Sequence, residues 1–408
     1  MSDDQELIDV RRMMAATSVE ELNRLAEEYF ARVTDWNYHL AKPFGAIDEV
    51  PQLLINFAAI LQGLGICPGL TVLEFGAGTG WAARFLTQLG VSVIALDISP
   101  TALNIAAELY RRQPVFGDNP APQFLQFDGH LIDLPEASVD RIICLDAFHH
   151  VPNPGDVLRE LGRVLRPGGI AGFAEPGPRH SLSPQSQYEM RTYGVVENDI
   201  DVREIWRLAQ TAGFTDMKLA VFNVPAFHLS LSEFEKFLKG GSPARRFAEA
   251  ATAYMQNQRS FFLFKGEVAV SDSRYRQGLK ADIKISPRTV TAKAGAPISL
   301  RAVVMNNSKS VWLPRSAGLG AVMLGCHVYD AAGKIFHHSY HWEALTPGDG
   351  RAIAPGEAVE FEVKVPLLPE GDYLLEFDMV SNDVCWFALN GSPIVRVAVS
   401  VSNAGSSD

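Results

Sequence analysis

The sequence predicts an α/β domain built on a parallel sheet, followed by an all-β domain. Three observations carry this. From residue 71, short apolar runs alternate with helical stretches, which argues for a parallel sheet with helices on both faces. The stretch LEFGAGTGW, residues 73–81, joins the first such run to the first such helix, where an open α/β sheet binds its ligands. After about residue 270 the alternation stops and only strand-like runs remain.

The elements follow in order. Ser18 and Glu21 form an S-x-x-E capping pattern, and Leu22, Leu25, Tyr29 and Val33 recur at helical spacing behind it. Pro51, a favoured first-turn residue, opens a second helix through LLINFAAILQGLG, which Gly63 and Gly65 are expected to end. TVLEF, VSVIALD, QFLQFD, DRIICLD and GIAGFAE then read as strands. WAARFLTQLG, PTALNIAAELYRR and GDVLRELGRVL read as the helices between them. A helix near Val202–Ala212 and the strands MKLAVFN and FFLFKGEVAV close the domain. ADIKIS, ISLRAVVM, AVMLGCHVYD, KIFHHSYHW, AVEFEVKVP, DYLLEFDMV and VRVAVSV have the spacing of a β-sandwich. The expected divisions are a helical cap over 1–54, the α/β domain over 55–270, a linker over 271–280, the sandwich over 281–403 and a tail over 404–408.

Charge and composition remove several function classes. A net charge of -11 disfavours a nucleic-acid or anionic-membrane binder, because both want a basic surface. MSDDQELIDV lacks the basic-then-apolar order of a signal peptide, and no apolar run reaches the roughly 18 residues of a membrane span. The four cysteines lie far apart and form no CxxC pair, so neither a zinc site nor a disulfide framework is expected. A cytoplasmic protein fits these features.

The loop spacing narrows the ligand. A dinucleotide fingerprint needs a third glycine where this chain has Trp81, and a phosphate-binding P-loop needs a lysine that is absent. The loop suits a nucleoside without a pyrophosphate. Asp97 ends the next strand, 21 residues after Gly76, and a carboxylate there suits a ribose diol.

Taken in order, LEFGAGTGW, ALDIS, FDGHLIDLPEASVDRIICLDAFHHVPNP and RVLRPGG resemble the motifs of class I S-adenosylmethionine-dependent methyltransferases over roughly residues 55–270. The resemblance implies a Rossmann-like seven-stranded sheet whose last strand, here FFLFKGEVAV, is reversed. It implies that Glu74, Gly76 and Gly78 flank the methionine moiety of S-adenosylmethionine. Asp97 would hold the ribose, and Ile98 would lie against the adenine. Asp128 would accept from the adenine amino group, beside Gly129 and His130. Asp146 and Ala147 would lie near the amino-acid end, and Tyr38 and His39 would fold over the cofactor. The family more often has Asp where this chain has Glu74, which keeps the carboxylate.

Methyl transfer from a sulfonium is an in-line displacement, so the protein mainly orients the acceptor, and a base helps a hydroxyl acceptor. His149 and His150, just beyond the fourth strand, and Glu175, at the end of the fifth, are the candidates. Arg179 and His180 follow in a loop that could touch an anionic substrate. The segment after the fourth strand, DAFHHVPNP, lacks the paired glutamates of protein arginine methyltransferases and the amide-Pro-Pro-aromatic loop of DNA methyltransferases.

The β-rich segment resembles immunoglobulin-like sandwiches appended to glycan-handling bacterial proteins, through NNSKSVW, LGCHVYDAAGK, LPEGDYLLEFDMV and CWF. On a regular strand, His337, Ser339 and His341 of HHSYHW share one face, and His338, Tyr340 and Trp342 the other. Residues four apart stand about 13 Å apart, too far to chelate one ion. The expected function is methylation of a hydroxyl on a sugar or glycan-linked acceptor. Here the sandwich recruits substrate, pairs two copies of the chain or braces the enzyme. The alternatives are a small-metabolite or natural-product methyltransferase and a glycan-binding or scaffolding protein without turnover.

Overall fold

The computed structural model describes residues 6–117, 119–220, 227–268, 271–346 and 350–403. The chain divides into two compact units, Met1–Ala269 and Val270–Asp408.

The first unit opens with four helices, α1 (Val10–Ala16), α2 (Val19–Ala31), α3 (Asn37–Ala41) and α4 (Val50–Leu64). It continues with β1 (Thr71–Phe75), α5 (Trp81–Gln88), β2 (Ser92–Asp97), α6 (Pro100–Arg112), β3 (Gln123–Gln126), β4 (Val139–Leu145), α7 (Pro154–Val164) and β5 (Leu165–Pro176). Then come α8 (Pro184–Tyr193), α9 (Val202–Thr211), β6 (Asp216–Ala220), α10 (Leu231–Leu238), α11 (Ser242–Asn257) and β7 (Gln258–Phe264). Among the described residues the strands form one seven-stranded sheet, ordered β3-β2-β1-β4-β5-β7-β6. β1 pairs in parallel with both β2 and β4, whereas β7 runs antiparallel to both its neighbours. The strand order reverses between β1 and β4, so the carboxyl ends of β1, β2 and β4 open on one crevice.

Alternation along β1 feeds two cores. Leu73 and Phe75 pack with α7 and α9, and Val72 packs with α4, α5 and α6. α8, α10 and α11 are additions to the elements expected from sequence, and of these α8 is a polar stretch with little apolar periodicity. The last three residues of MKLAVFN lie outside the described residues.

One glycine acts differently from the expectation. α4 continues through Gly63, and Gly65 alone ends it, with φ 58° in the left-handed region. At Gly63 an added Cβ would lie 2.0 Å from Cζ of the buried Phe262 on β7. Gly63 therefore sets how closely helix and sheet approach. Helix propensity alone favours Gly63→Ala by about 1 kcal/mol. Forcing a methyl into a packed core costs about 1–3 kcal/mol. We expect Gly63→Ala to lower Tm, and a melt showing a higher Tm would disprove the packing role.

The second unit holds β8 (Ala281–Ser286), β9 (Thr289–Lys293), β10 (Ile298–Asn306), β11 (Val322–Asp330), β12 (Ile335–Ala344), β13 (Ala358–Val365), β14 (Gly371–Ser381), β15 (Cys385–Trp386) and β16 (Val395–Ser402). They form a three-stranded sheet, β13-β10-β8, and a larger one, β12-β11-β14-β16-β9, with β15 added on β14. Both sheets contribute to one core, including Leu300, Val304, Trp312, Phe377 and Phe387.

The regular alternation expected of HHSYHW fails. Ser339 has φ 52°, and the pairing of β12 with β11 shifts between Cys326 and Val328. Such a bulge re-aims side chains. Tyr340 turns to the core and donates to Leu367 O at 2.6 Å, whereas His338 and Trp342 gather round Trp386. Among the described residues no helix is long and apolar enough to cross a membrane.

Candidate active site

A cavity of about 320 Å³ opens at the carboxyl ends of β1, β2 and β4. Its floor is the glycine loop. Gly76 (φ 68°) and Gly78 (φ 51°) both hold left-handed backbone, which glycine adopts without strain. A Cβ on Gly76 would lie 2.3 Å from Ala147 Cβ, so the loop closes tightly on the end of β4. A Cβ on Gly78 would meet nothing within 4 Å.

Asp97 braces this loop. Gly78 N–H donates to its Oδ2 at 2.7 Å, and Ser99 N–H donates to its Oδ1 at 2.9 Å. The α2 helix is fastened to the same turn, because Glu27 accepts from the Ser99 and Thr101 hydroxyls. Asn23 Nδ2 donates to Asp128 O at 3.2 Å. Leu22, Asn23, Ala26, Tyr29 and Phe30 thereby become a wall of the cavity.

Of the residues singled out from sequence, Gly76, Gly78, Asp97, Ile98, Gly129, Asp146, Ala147, His39 and His150 line the cavity. Others do not, and each has a local reason. Glu74 points from β1 toward the face packed by α4 and α5, is buried, and accepts from Ala83 N–H. Asp128 is exposed and spends Oδ1 on His130 N–H and Leu131 N–H. Tyr38 donates from its hydroxyl to Glu49 and leaves the wall to His39. His149 and Glu175 are buried behind the wall.

Glu175 is thus an anchor for the turn after β4. Its carboxylate accepts from the backbone N–H groups of Ala147 (3.1 Å), Phe148 (2.9 Å) and His149 (3.3 Å), and from Cys144 Sγ. Its Oε2 is also 2.8 Å from His149 Nδ1. Burial raises the Glu175 carboxyl against those hydrogen bonds, and burial beside His150 holds the His149 imidazole well below its usual range.

Two further groups carry strain or charge. Asp146 has φ 48°, an uncommon conformation for a residue other than glycine that functional sites concentrate. Enclosure in the fold and the nearby Glu175 draw its carboxyl up to about 7, although the cavity leaves it in contact with solvent. Burial, and then the Asp97 charge, push Glu74 up to about 8. Folded Glu74 binds its proton more tightly than the unfolded chain does. Its contribution to stability is therefore full below about pH 4.5 and is lost as pH rises through about 8. Glu74→Gln should gain Tm relative to the parent as pH rises from about 5 to about 8, in the cofactor-free protein. A Tm difference independent of pH would exclude a buried, titrating Glu74.

No sequence motif assigned a role to the cavity residues Lys42, Asn153, Glu189, Val195 and Val196. Nor did any point to Glu197, which the loop after α8 brings against His149, His150 and His180. That loop, GVVENDI, has neither period nor motif.

Residues 73–173 match the family model described as Methyltransferase domain. The Probable S-adenosylmethionine-dependent methyltransferase of Mycolicibacterium smegmatis is 29% identical over 158 residues, 38% of this chain and 57% of that protein. A sterol 24-C-methyltransferase of Gibberella zeae is 32% identical over 117 residues, 28% of this chain and 30% of that protein. The demethylmenaquinone methyltransferase of Tropheryma whipplei is 29% identical over 196 residues, 42% of this chain and 79% of that protein. The chain thus spans about half the length of the first relative and under a third of the second. The matched methyltransferase domain runs from β1 into β5, and with these relatives it supports S-adenosylmethionine as the cofactor. The cavity fits that group. His39 and Asn153 are both on its wall, and their Nδ1 and Oδ1 are buried polar atoms without a hydrogen bond among the described residues. Buried polar atoms are normally hydrogen-bonded, so they suit a polar ligand.

Proposed function

We propose that the first unit binds S-adenosylmethionine and transfers its methyl group to a hydroxyl of a polar small molecule, a sugar or glycan intermediate being the favoured class. The cofactor supplies an electrophilic methyl carbon on a sulfonium. The chain's own residues do the rest. The Gly76–Gly78 loop and Asp97 position the donor, and α2 and His39 cover it and limit water. The carboxylate of Asp97 keeps lone pairs beyond the two N–H groups it accepts, and these suit a ribose diol.

One observation carries the hydroxyl reading. His150 stands on the cavity wall, with Nδ1 2.6 Å from Val196 O and 3.3 Å from Glu197 Oε1. Both neighbours accept, so Nδ1 holds the proton and Nε2 keeps a lone pair. Nε2 is then placed to take the acceptor's proton as the C–O bond forms and the C–S bond breaks.

The wall is mostly apolar, and the polar groups set into it suit an acceptor that presents a hydroxyl. Asp146, Glu189, Lys42, His39 and His150 all reach it. A small metabolite of the kind named for the relatives, a sterol or a quinone, is the second reading. The two sheets of the second unit share one core, which fits an immunoglobulin-like sandwich that recruits substrate or pairs two copies of the chain. Incubation with S-adenosylmethionine and nucleotide sugars, glycolipids or cell extract should give S-adenosylhomocysteine and a product one methyl heavier. If the cofactor binds and no acceptor is methylated, the remaining reading is a glycan-binding or scaffolding protein.

A further inference from the structure

Three imidazoles converge on one carboxylate behind the acceptor end of the cavity. Glu197 is only 4% exposed. Its Oε2 lies 2.7 Å from His180 Nε2, 3.2 Å from Ser186 Oγ and 4.0 Å from His149 Nε2. Its Oε1 lies 3.3 Å from His150 Nδ1. A buried carboxylate is retained only when it is well partnered, and here its partners surround the histidine on the cavity wall.

We propose that Glu197 is a positioning residue for His150: beside Val196 O, which accepts from Nδ1, its carboxylate backs the ring with Nε2 toward the acceptor and stabilises the imidazolium formed when His150 takes the acceptor's proton. The inference rests on the hydroxyl-methylation reading above. The arrangement repeats the logic of a carboxylate behind a catalytic histidine, where the acid orients the ring and supplies charge without itself taking the proton. Burial pushes Glu197 up. The hydrogen bond from His180, helped by the imidazoles around it, outweighs this and keeps the carboxyl below its usual range. His149 does not share the task, because it is buried behind the cavity wall.

The same residues also have a donor set that a divalent ion could use. One ligand atom each from His149, His150 and Glu197 lies within 4.8 Å of the others. The existing hydrogen bonds favour the positioning role. Oε2 of Glu197 is already taken by His180 and Ser186, and Nδ1 of His150 is held by Val196 O.

The groups around His150 set its pH response. Asp97, Asp146, Glu189 and Glu197 are the acids near it, with His149 against its ring and His180 behind Glu197. Removing the Glu197 charge disfavours the imidazolium. Glu197→Gln should therefore move the acid limb of the kcat/KM profile about one unit to lower pH, and cut kcat about 10- to 100-fold. Glu197→Asp, which keeps the charge, should keep the limb and lose less rate. S-adenosylmethionine affinity should stay within a few-fold in both. Ring-proton NMR of His150 in the full chain should show the same downward shift for Glu197→Gln without any acceptor present.

A limb and a His150 titration that stay put in Glu197→Gln, with only Tm lowered, would make Glu197 structural and overturn the proposal. Activity that a chelator abolishes and added Mn²⁺ or Zn²⁺ restores would make these side chains metal ligands, and would overturn it equally. Parent protein that binds S-adenosylmethionine yet methylates no acceptor fails the functional reading instead, and the NMR titration still reports on Glu197.

Discussion

Asp97→Ala should weaken S-adenosylmethionine binding by about two orders of magnitude. The carboxylate does two things at once. It accepts from Gly78 N–H at 2.7 Å and from Ser99 N–H at 2.9 Å, so it fixes both the glycine loop and the turn that caps α6. Its remaining lone pairs face the cavity that Ile98 and Gly78 also line. Hydrogen bonds to a charged group contribute about 1.5–3 kcal/mol each, and every 1.4 kcal/mol is tenfold in affinity. Losing the ribose contact alone predicts tenfold or more, and release of two backbone donors adds loop disorder. Asp97→Asn should lose less, because the amide oxygen still accepts from one N–H. Titration calorimetry decides. Unchanged affinity in Asp97→Ala would remove Asp97 from the cofactor site.

His150→Ala should leave cofactor affinity within a few-fold and lower kcat by about 10²–10⁴, the range supplied by one positioned acid–base group. The fold should tolerate the substitution, since His150 is half exposed on the wall and Glu197 keeps His180 and Ser186 as partners. By contrast His149→Ala would open a buried hole and leave Glu175 Oε2 with only the longer bond from the backbone N–H of residue 149, so its rate loss would come with a lower Tm. Rapid-quench measurement of methyl transfer separates the two outcomes. Full activity in His150→Ala would show that the acceptor loses its proton elsewhere.

The difference between these two histidines marks how far a sequence can be read. DAFHHVPNP places both beyond the fourth strand, and nothing in it says which ring meets the cavity. The turn geometry decides. Asp146 takes up φ 48°, the next residues form a short helical turn at Phe148–His150, and Glu175 captures His149 from the neighbouring strand. Glu175 misled the reading for the same reason, because a carboxylate at a strand's carboxyl end can face the ligand or cap the adjacent loop.

The glycine loop, Asp97 and the strand–helix alternation were legible because each is a local consequence of residue type. Glycine readily adopts the left-handed turns at Gly76 and Gly78, a carboxylate at the end of β2 reaches Ser99 N–H two residues on and Gly78 N–H on the loop after the adjoining strand, and a period of apolar residues marks strand or helix. Gly63 shows the limit, since its spacing reads as a helix end and only Phe262, about 200 residues on, makes it a packing contact. The wall built from α2, the loop carrying Val196 and Glu197, and the bulge that splits HHSYHW belong to the same class. Local residue chemistry determined the fold class of the first unit and the glycine loop on the floor of its cavity. Which side chains meet at the acceptor end was decided only by tertiary structure, because those contacts join segments distant in sequence whose positions no short-range preference can specify.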